Sequence, residues 1–110
     1  MPKVSRHTYT SACVLQALAN GAAHGFEIMD ATDLRSGTVY PILRRFEAEG
    51  LVESRWEKRA EAQRSGRPRR RYYELTASGR AALIEAGERF RYHERLFGPR
   101  PAGSQPEDPA

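Results

Sequence analysis

The stretch SGTVYPILRRFEAEG, residues 36–50, decides the reading of this chain. Val39, Ile42, Leu43 and Phe46 share one side when the stretch is wound as an α-helix. Gly37, Thr38, Pro41, Arg44 and Arg45 then fall opposite, with Tyr40 on the flank. The outward face is small or cationic in its leading turns, and acids enter only at Glu47 and Glu49. A face that carries Thr, Tyr and two Arg without a carboxylate between them suits phosphates and base edges. Ser36 stands where an N-cap is needed, since its hydroxyl can take a free backbone N–H. Pro41 lies past the first turn and removes one backbone donor, so it is expected to bend the helix start. Such a bend would set the angle at which the helix enters a groove; a kink without a role is the alternative.

Working outward toward the N-terminus, residues 32–35 (TDLR) read as a turn. Before them a short helix is expected over 25–31, carrying Phe26, Ile28 and Met29. Two short helices joined by a tight turn form a helix-turn-helix. A first helix is expected over 8–19, with Tyr9, Ala12, Leu15 and Leu18 as its core stripe and Val14 beside them. Asn20 and Gly21 end it, because Gly accepts the left-handed conformation that closes a helix. Residues 1–7 are polar and basic, and read as a loose arm.

Toward the C-terminus, Gly50 closes the helix and the period changes. Residues 51–57 alternate, with Val52, Ser54 and Trp56 on one side, and residues 70–75 alternate again. Strand, polar loop, strand reads as a β-hairpin over 51–76. The connecting residues 58–69 are rich in Ala, Gln, Ser, Gly and Arg, and are expected to be a mobile loop. From Arg64 to Arg71 there are five Arg and no acid. A basic hairpin directly after a helix of this kind is a wing, and Arg64, Arg67, Arg69 and Arg70 could reach a DNA backbone or minor groove. The plainer alternative is a solvated basic loop. Trp56 is expected to pack structurally under the wing. Tyr72 and Tyr73 point to opposite faces of their strand, so at most one joins the core.

A last helix begins near Thr76 or Ser78 and runs to Leu96 or Phe97. Leu83, Phe90 and Phe97 recur every seventh residue, with Ala86 and His93 between them and Ile84, Gly87 and Leu96 widening the stripe. A helix of about twenty residues at the end of a small domain has little of its own domain to bury such residues against, so a second copy is the economical partner. Folding back onto the first helix is the alternative, and both can hold together. The fold class is therefore mainly α with a small β-hairpin: a winged helix-turn-helix over 1–76, a C-terminal dimerisation helix over 77–98, and a disordered tail over 99–110.

A chain of 110 residues with 39% hydrophobic and 29% charged residues fits one small folded domain. The net charge of +4 points to an acidic partner. Cys13 is the single cysteine, so an internal disulfide and a Cys-rich zinc site are excluded, and it reads as a small apolar packing residue. No run is long enough to span a bilayer and no signal-peptide pattern is present, so a cytoplasmic place is expected. His7, His24 and His93 are scattered, with no nucleophile–base spacing, metal motif or phosphate-cradling Gly-rich loop. No catalytic residue, metal site or cofactor is expected.

At four separated places the chain resembles the PadR family of bacterial transcriptional regulators. These are His24-Gly25-Phe26-Glu27-Ile28, Gly37-Thr38-Val39-Tyr40-Pro41-Ile42-Leu43, Glu49-Gly50-Leu51-Val52, and the Arg-Tyr-Tyr-x-Leu-Thr-x-x-Gly run over 71–79. The resemblance spans about residues 12–85. It implies a homodimeric repressor that binds a pseudo-palindromic double-stranded DNA operator and acts by steric exclusion. It places Ser36, Thr38, Tyr40, Arg44 and Arg45 of the helix, and Arg67, Arg69 and Arg70 of the wing, on DNA. Thr38 and Arg45 are the candidates for base edges, and Tyr40, Arg44 and the wing arginines for phosphates. Two such helices in a dimer would sit about 34 Å apart, one turn of duplex. The resemblance also implies an aromatic or cationic small-molecule inducer at the dimer interface, among Tyr9, Phe90, Tyr92, His93 and Phe97, with Leu83 in the same seam; dimer packing alone is the plainer reading of these residues. A winged helix that binds protein and does not read DNA is the competing function. It would call for an apolar or acidic outer face on helix 36–49, and that face is cationic.

Overall fold

The computed structural model describes residues 8–98. The arm expected over 1–7 and the tail expected over 99–110 lie outside the described residues. Helix α1 spans Tyr9–Ala19 and opens on Thr8, whose hydroxyl accepts from the Ser11 N–H at 3.1 Å. It closes at Asn20, and Gly21 follows at φ 106°. Helix α2 covers Gly25–Thr32, one residue longer than expected, because Asp33 takes the left-handed conformation that ends it. Leu34 tucks into the core from the turn that follows. Helix α3 covers Ser36–Ala48 and runs on through Pro41.

The N-cap of α3 is a correction to the sequence reading. Arg35, in extended conformation, holds the cap position, and its carbonyl accepts from the Thr38 and Val39 N–H groups, each at 2.9 Å. Ser36 is already the first helical residue and makes no side-chain cap. Its hydroxyl is therefore left on the exposed surface.

Strand β1 (Val52–Trp56) pairs antiparallel with strand β2 (Arg71–Leu75), Val52 opposite Leu75 and Trp56 opposite Arg71. The connection between them is not the mobile loop that its polar composition suggested. It folds into helix α4, Arg59–Ser65, closed by Gly66 in the left-handed conformation. Ala60, Glu61, Ala62 and Gln63 favour helix, and one residue, Ala62, is buried and anchors it. Trp56 is a second correction. It is not packed under the wing but stands 52% exposed at the end of β1, with the guanidinium groups of Arg69 and Arg71 over its ring.

The core gathers Val14, Leu15 and Leu18 of α1, Ile28 of α2, Val39, Leu43 and Phe46 of α3, and Leu51, Val52 and Leu75 at the root of the hairpin. Tyr73 packs against it from β2, while Tyr72 lies on the other face beside His24. Helix α5, Ala77–Phe97, opens on Thr76, whose hydroxyl accepts from the Gly79 N–H at 3.0 Å and donates to the Gly50 carbonyl at 2.6 Å. Gly79 lies so close to the Leu51 carbonyl that a Cβ there would strike it. Ala86 is buried and Leu83 packs on the core. Phe90 still meets Tyr9 of α1, and the last turns expose Tyr92, Leu96 and Phe97.

Candidate nucleic-acid interface

Burial of Val39, Leu43 and Phe46 fixes the rotation of α3, so Ser36, Gly37, Tyr40, Pro41, Arg44 and Arg45 face outward and Thr38 is half-buried. The face expected from the period is observed except at Thr38, expected outward but half-buried. Arg45 lies 3.9 Å from Glu49, a pair of half-exposed side chains that is weak in water and easily exchanged. Tyr40 leans back across the start of α2. Its hydroxyl lies over Gly25, where any Cβ would collide with it. The Gly25 and Tyr40 of the two motifs are thus two sides of one contact.

The hairpin is organised around a residue that sequence reasoning missed. Glu57 is buried, and both of its carboxylate oxygens receive the Arg67 guanidinium, at 2.6 and 2.8 Å. The Arg70 backbone N–H reaches the same carboxylate at 3.2 Å and the Tyr72 hydroxyl lies 3.4 Å away. The Glu57 carbonyl accepts from Arg69 Nε at 2.8 Å, and the Glu57 N–H donates to the Arg70 carbonyl at 2.7 Å. The Arg67 hydrogen bonds hold the Glu57 carboxyl down at about 2, against the opposing effect of its desolvation. This arrangement changes the expected inventory of free cations. Arg67 is engaged in bracing the base of the wing, whereas Arg69 is exposed and donates only through Nε, to the Glu57 carbonyl. The available signal was an acid at the end of the first strand, facing a run of arginines at the start of the second.

Two further links tie hairpin to helix-turn-helix. Arg71 donates to Ser54 Oγ at 3.1 Å and to Glu47 Oε2 at 3.3 Å, and Ser54 donates to the same Glu47 oxygen at 2.6 Å. This clasp joins the far half of α3 to both strands. On the other side, Tyr73 N–H donates to the Ala23 carbonyl at 2.7 Å, and the His24 and Tyr72 rings meet edge-to-face at 5.7 Å. Burial pushes the His24 imidazole below its ordinary value, Glu27 beside it pulls it up, and Arg70 and Arg67 lower it further. The wing and α3 are therefore held as one surface.

Between these elements lies a groove of about 450 Å³, lined by Gly25 and Phe26 of α2, Tyr40 of α3, and Trp56, Arg69 and Arg71 of the hairpin, among others. The six residues expected at a ligand or dimer interface divide into two groups. Tyr9 and Phe90 meet edge-to-face at 5.5 Å within one chain, and Leu83 packs on the core nearby. Tyr92, His93 and Phe97 lie beyond, on the exposed turns of α5, where the His93 and Phe97 rings approach to 4.8 Å. Among the described residues, no helix is long and apolar enough to cross a membrane.

Comparison with curated proteins gives no match. Among solved structures, a PadR family transcription regulator from Clostridium difficile R20291 superposes with a TM-score of 0.69 at 27% identity, over 82% of this chain and 95% of that one. A transcriptional regulator from Clostridium thermocellum gives 0.66 at 23% identity, over 81% and 89%. BpsR of Bordetella bronchiseptica, whose DNA binding is regulated by 6-hydroxynicotinic acid, gives 0.66 at 23% identity, over 92% and 72%. The latter two likenesses concern the fold alone. The sequence profile of the transcriptional regulator PadR-like family matches residues 14–85, which takes in the helix-turn-helix, the whole hairpin and the start of α5. The chain belongs to the PadR-like family of transcriptional regulators.

Proposed function

We propose that this protein is a homodimeric repressor that reads a pseudo-palindromic operator with α3 in the major groove and the hairpin as its wing. The carrying observation is the set of outward cations: Arg44 and Arg45 exposed on the outer face of α3, and Arg69 with the half-buried Arg70 on the hairpin that Arg71 ties to α3 through Glu47. Thr38 and Arg45 take base edges, Arg preferring guanine. Ser36, Tyr40, Arg44, Arg69 and Arg70 position the duplex through phosphates. Arg67 acts one step removed, by holding Glu57 and with it the backbone of Arg70.

Dimerisation falls to the distal turns of α5 in residues 77–98. The exposed Tyr92, Leu96 and Phe97 support this, since a lone chain leaves them in water. A small aromatic ligand at that seam, among Tyr92, His93 and Phe97 with Tyr9 and Phe90 behind them, would release DNA by changing the separation of the two α3 helices. BpsR, regulated by 6-hydroxynicotinic acid, lends this support as a protein of the same fold.

The test is fluorescence-polarisation binding to DNA upstream of the protein's own coding sequence, at two salt concentrations, with scrambled duplex as control. Preferential binding that weakens steeply with salt is expected. Replacing Arg69 and Arg70 together by Gln should weaken binding to every sequence and reduce the log–log salt slope by roughly two. An unchanged slope would remove the hairpin from the interface.

A further inference from the structure

Phe26 is 72% exposed on the first turn of α2, an unusual place for a large apolar side chain with a core one turn away. It is not isolated. Tyr40, the half-exposed Trp56 and the half-buried Tyr73 share the same groove, so aromatic residues from four separate elements converge there. Arg69, Arg70 and Arg71 complete the rim, and among the described residues no carboxylate lines it. Arg69 donates through Nε to the Glu57 carbonyl and its guanidinium lies over the Trp56 ring, which holds a cation beside the aromatic surface. The concavity on the other side of the hairpin is of similar size, about 490 Å³, yet Glu53 and Glu74 line it together with Arg55 and Arg80. The first combines apolar walls with a rim that no carboxylate lines; Arg67 and Arg71 of that rim are paired with Glu57 and Glu47 from outside it, which leaves its charge to Arg69 and Arg70.

We propose that this groove seats one sugar–phosphate strand of duplex DNA, with Phe26 and Trp56 packed on deoxyribose and Arg69 on the adjoining phosphate. The inference rests on the DNA-binding reading and adds to it a contact made by apolar residues outside α3 and the wing arginines. Charge complementarity selects the occupant: a polyanion carrying apolar sugars between its charges matches alternating aromatic and guanidinium groups. Tyr40 belongs to both surfaces, so a strand entering the groove continues along the outer flank of α3. The contact is independent of sequence, because the sugar is the same at every base.

Its energetic signature differs from that of a phosphate contact. Neutralising phosphates sets the salt dependence, whereas burying an apolar ring lowers the free energy equally at all salt concentrations. The experiment uses the full chain and a fluorescein-labelled duplex of mixed sequence, titrated at several salt concentrations. Phe26→Ala is expected to weaken binding roughly five- to tenfold at every salt, with the slope unchanged. Arg69→Gln is expected to reduce the slope by about one. Trp56 is the only tryptophan, so its emission reports directly on the groove and should change as DNA saturates the wild-type protein. Because Phe26 is exposed, the melting temperature of Phe26→Ala serves as a control and should match that of the wild type.

Binding by Phe26→Ala equal to wild type, or Trp56 emission unmoved at saturation while anisotropy shows binding, overturns the groove assignment and leaves the DNA-binding reading standing. No binding by the wild-type protein at low salt overturns both.

Discussion

At position 57 a single carboxylate holds the base of the wing. Its folded value near 2 lies below the 4.5 of an ordinary glutamate, so the folded chain keeps the charge to lower pH than the unfolded chain does. The stability it contributes is present above about pH 4.5 and is lost as pH falls toward 2. His24 has the same sign of pH dependence by another route. Its lowered value favours the neutral imidazole in the fold, so stability is lost as pH falls below 6.5. Urea midpoints followed from pH 7 to pH 2 should therefore decline in two stages. Glu57→Gln should flatten the lower stage; an unchanged lower stage would deny Glu57 its role. On α3, Arg45→Ala should cost roughly 1–3 kcal/mol on the operator and relax preference at one base pair. Uniform weakening on all duplexes would reassign Arg45 to the backbone.

At the scale of elements, the joints matter more than the helices themselves. The start of α5 is seated against the root of β1 at Gly79, where the nearest obstruction is the Leu51 backbone carbonyl, with the Leu75 side chain beside it. Gly79→Ala is thus expected to destabilise the chain by roughly 1–3 kcal/mol, read as a lower urea midpoint, because backbone must shift to admit the methyl. A midpoint equal to wild type would mean that the joint is looser than its geometry implies. Gly25 presents the opposite case, since the atom in the way is the end of the Tyr40 side chain. The clasp of Glu47, Ser54 and Arg71 makes the hairpin follow α3. Helix α4 shortens the span between strands and returns the chain at Arg67, where Glu57 receives it.

For the molecule as a whole, α5 sets the outline. Its 21 residues extend about 31 Å at 1.5 Å per residue, within a longest dimension of 50 Å. Helix α1 and the core cover one side of α5 as far as Phe90, which meets Tyr9; beyond that Tyr92, Leu96 and Phe97 are exposed. Leu96→Glu with Phe97→Glu should convert a dimer to a monomer by light scattering, with little loss of melting temperature, since both side chains are exposed in the single chain. Operator affinity should fall steeply with it, because one half-site then binds alone. A wild-type chain that is already monomeric at micromolar concentration would sink the dimer reading.

Periodicity and motif order determined the architecture from the sequence by itself. The apolar spacing of Val39, Ile42, Leu43 and Phe46 fixes which face of α3 points outward, and alternation over 51–57 and 70–75 fixes the hairpin. These features depend on local geometry, with a period of 3.6 or 2, and so they are legible in one dimension. What the tertiary structure alone decided depends on residues distant in the chain. The Ser36 cap moved to Arg35 because packing of α3 sets where its first turn begins. The loop over 58–69 became a helix because one alanine, Ala62, finds a buried place. Trp56 came to the surface because the strand ends there and Arg69 and Arg71 cover it in place of the core. Arg67 meets the Glu57 carboxylate, ten residues away, where Arg69 meets only its carbonyl, and a string of identical arginines carries no mark of which one meets a carboxylate.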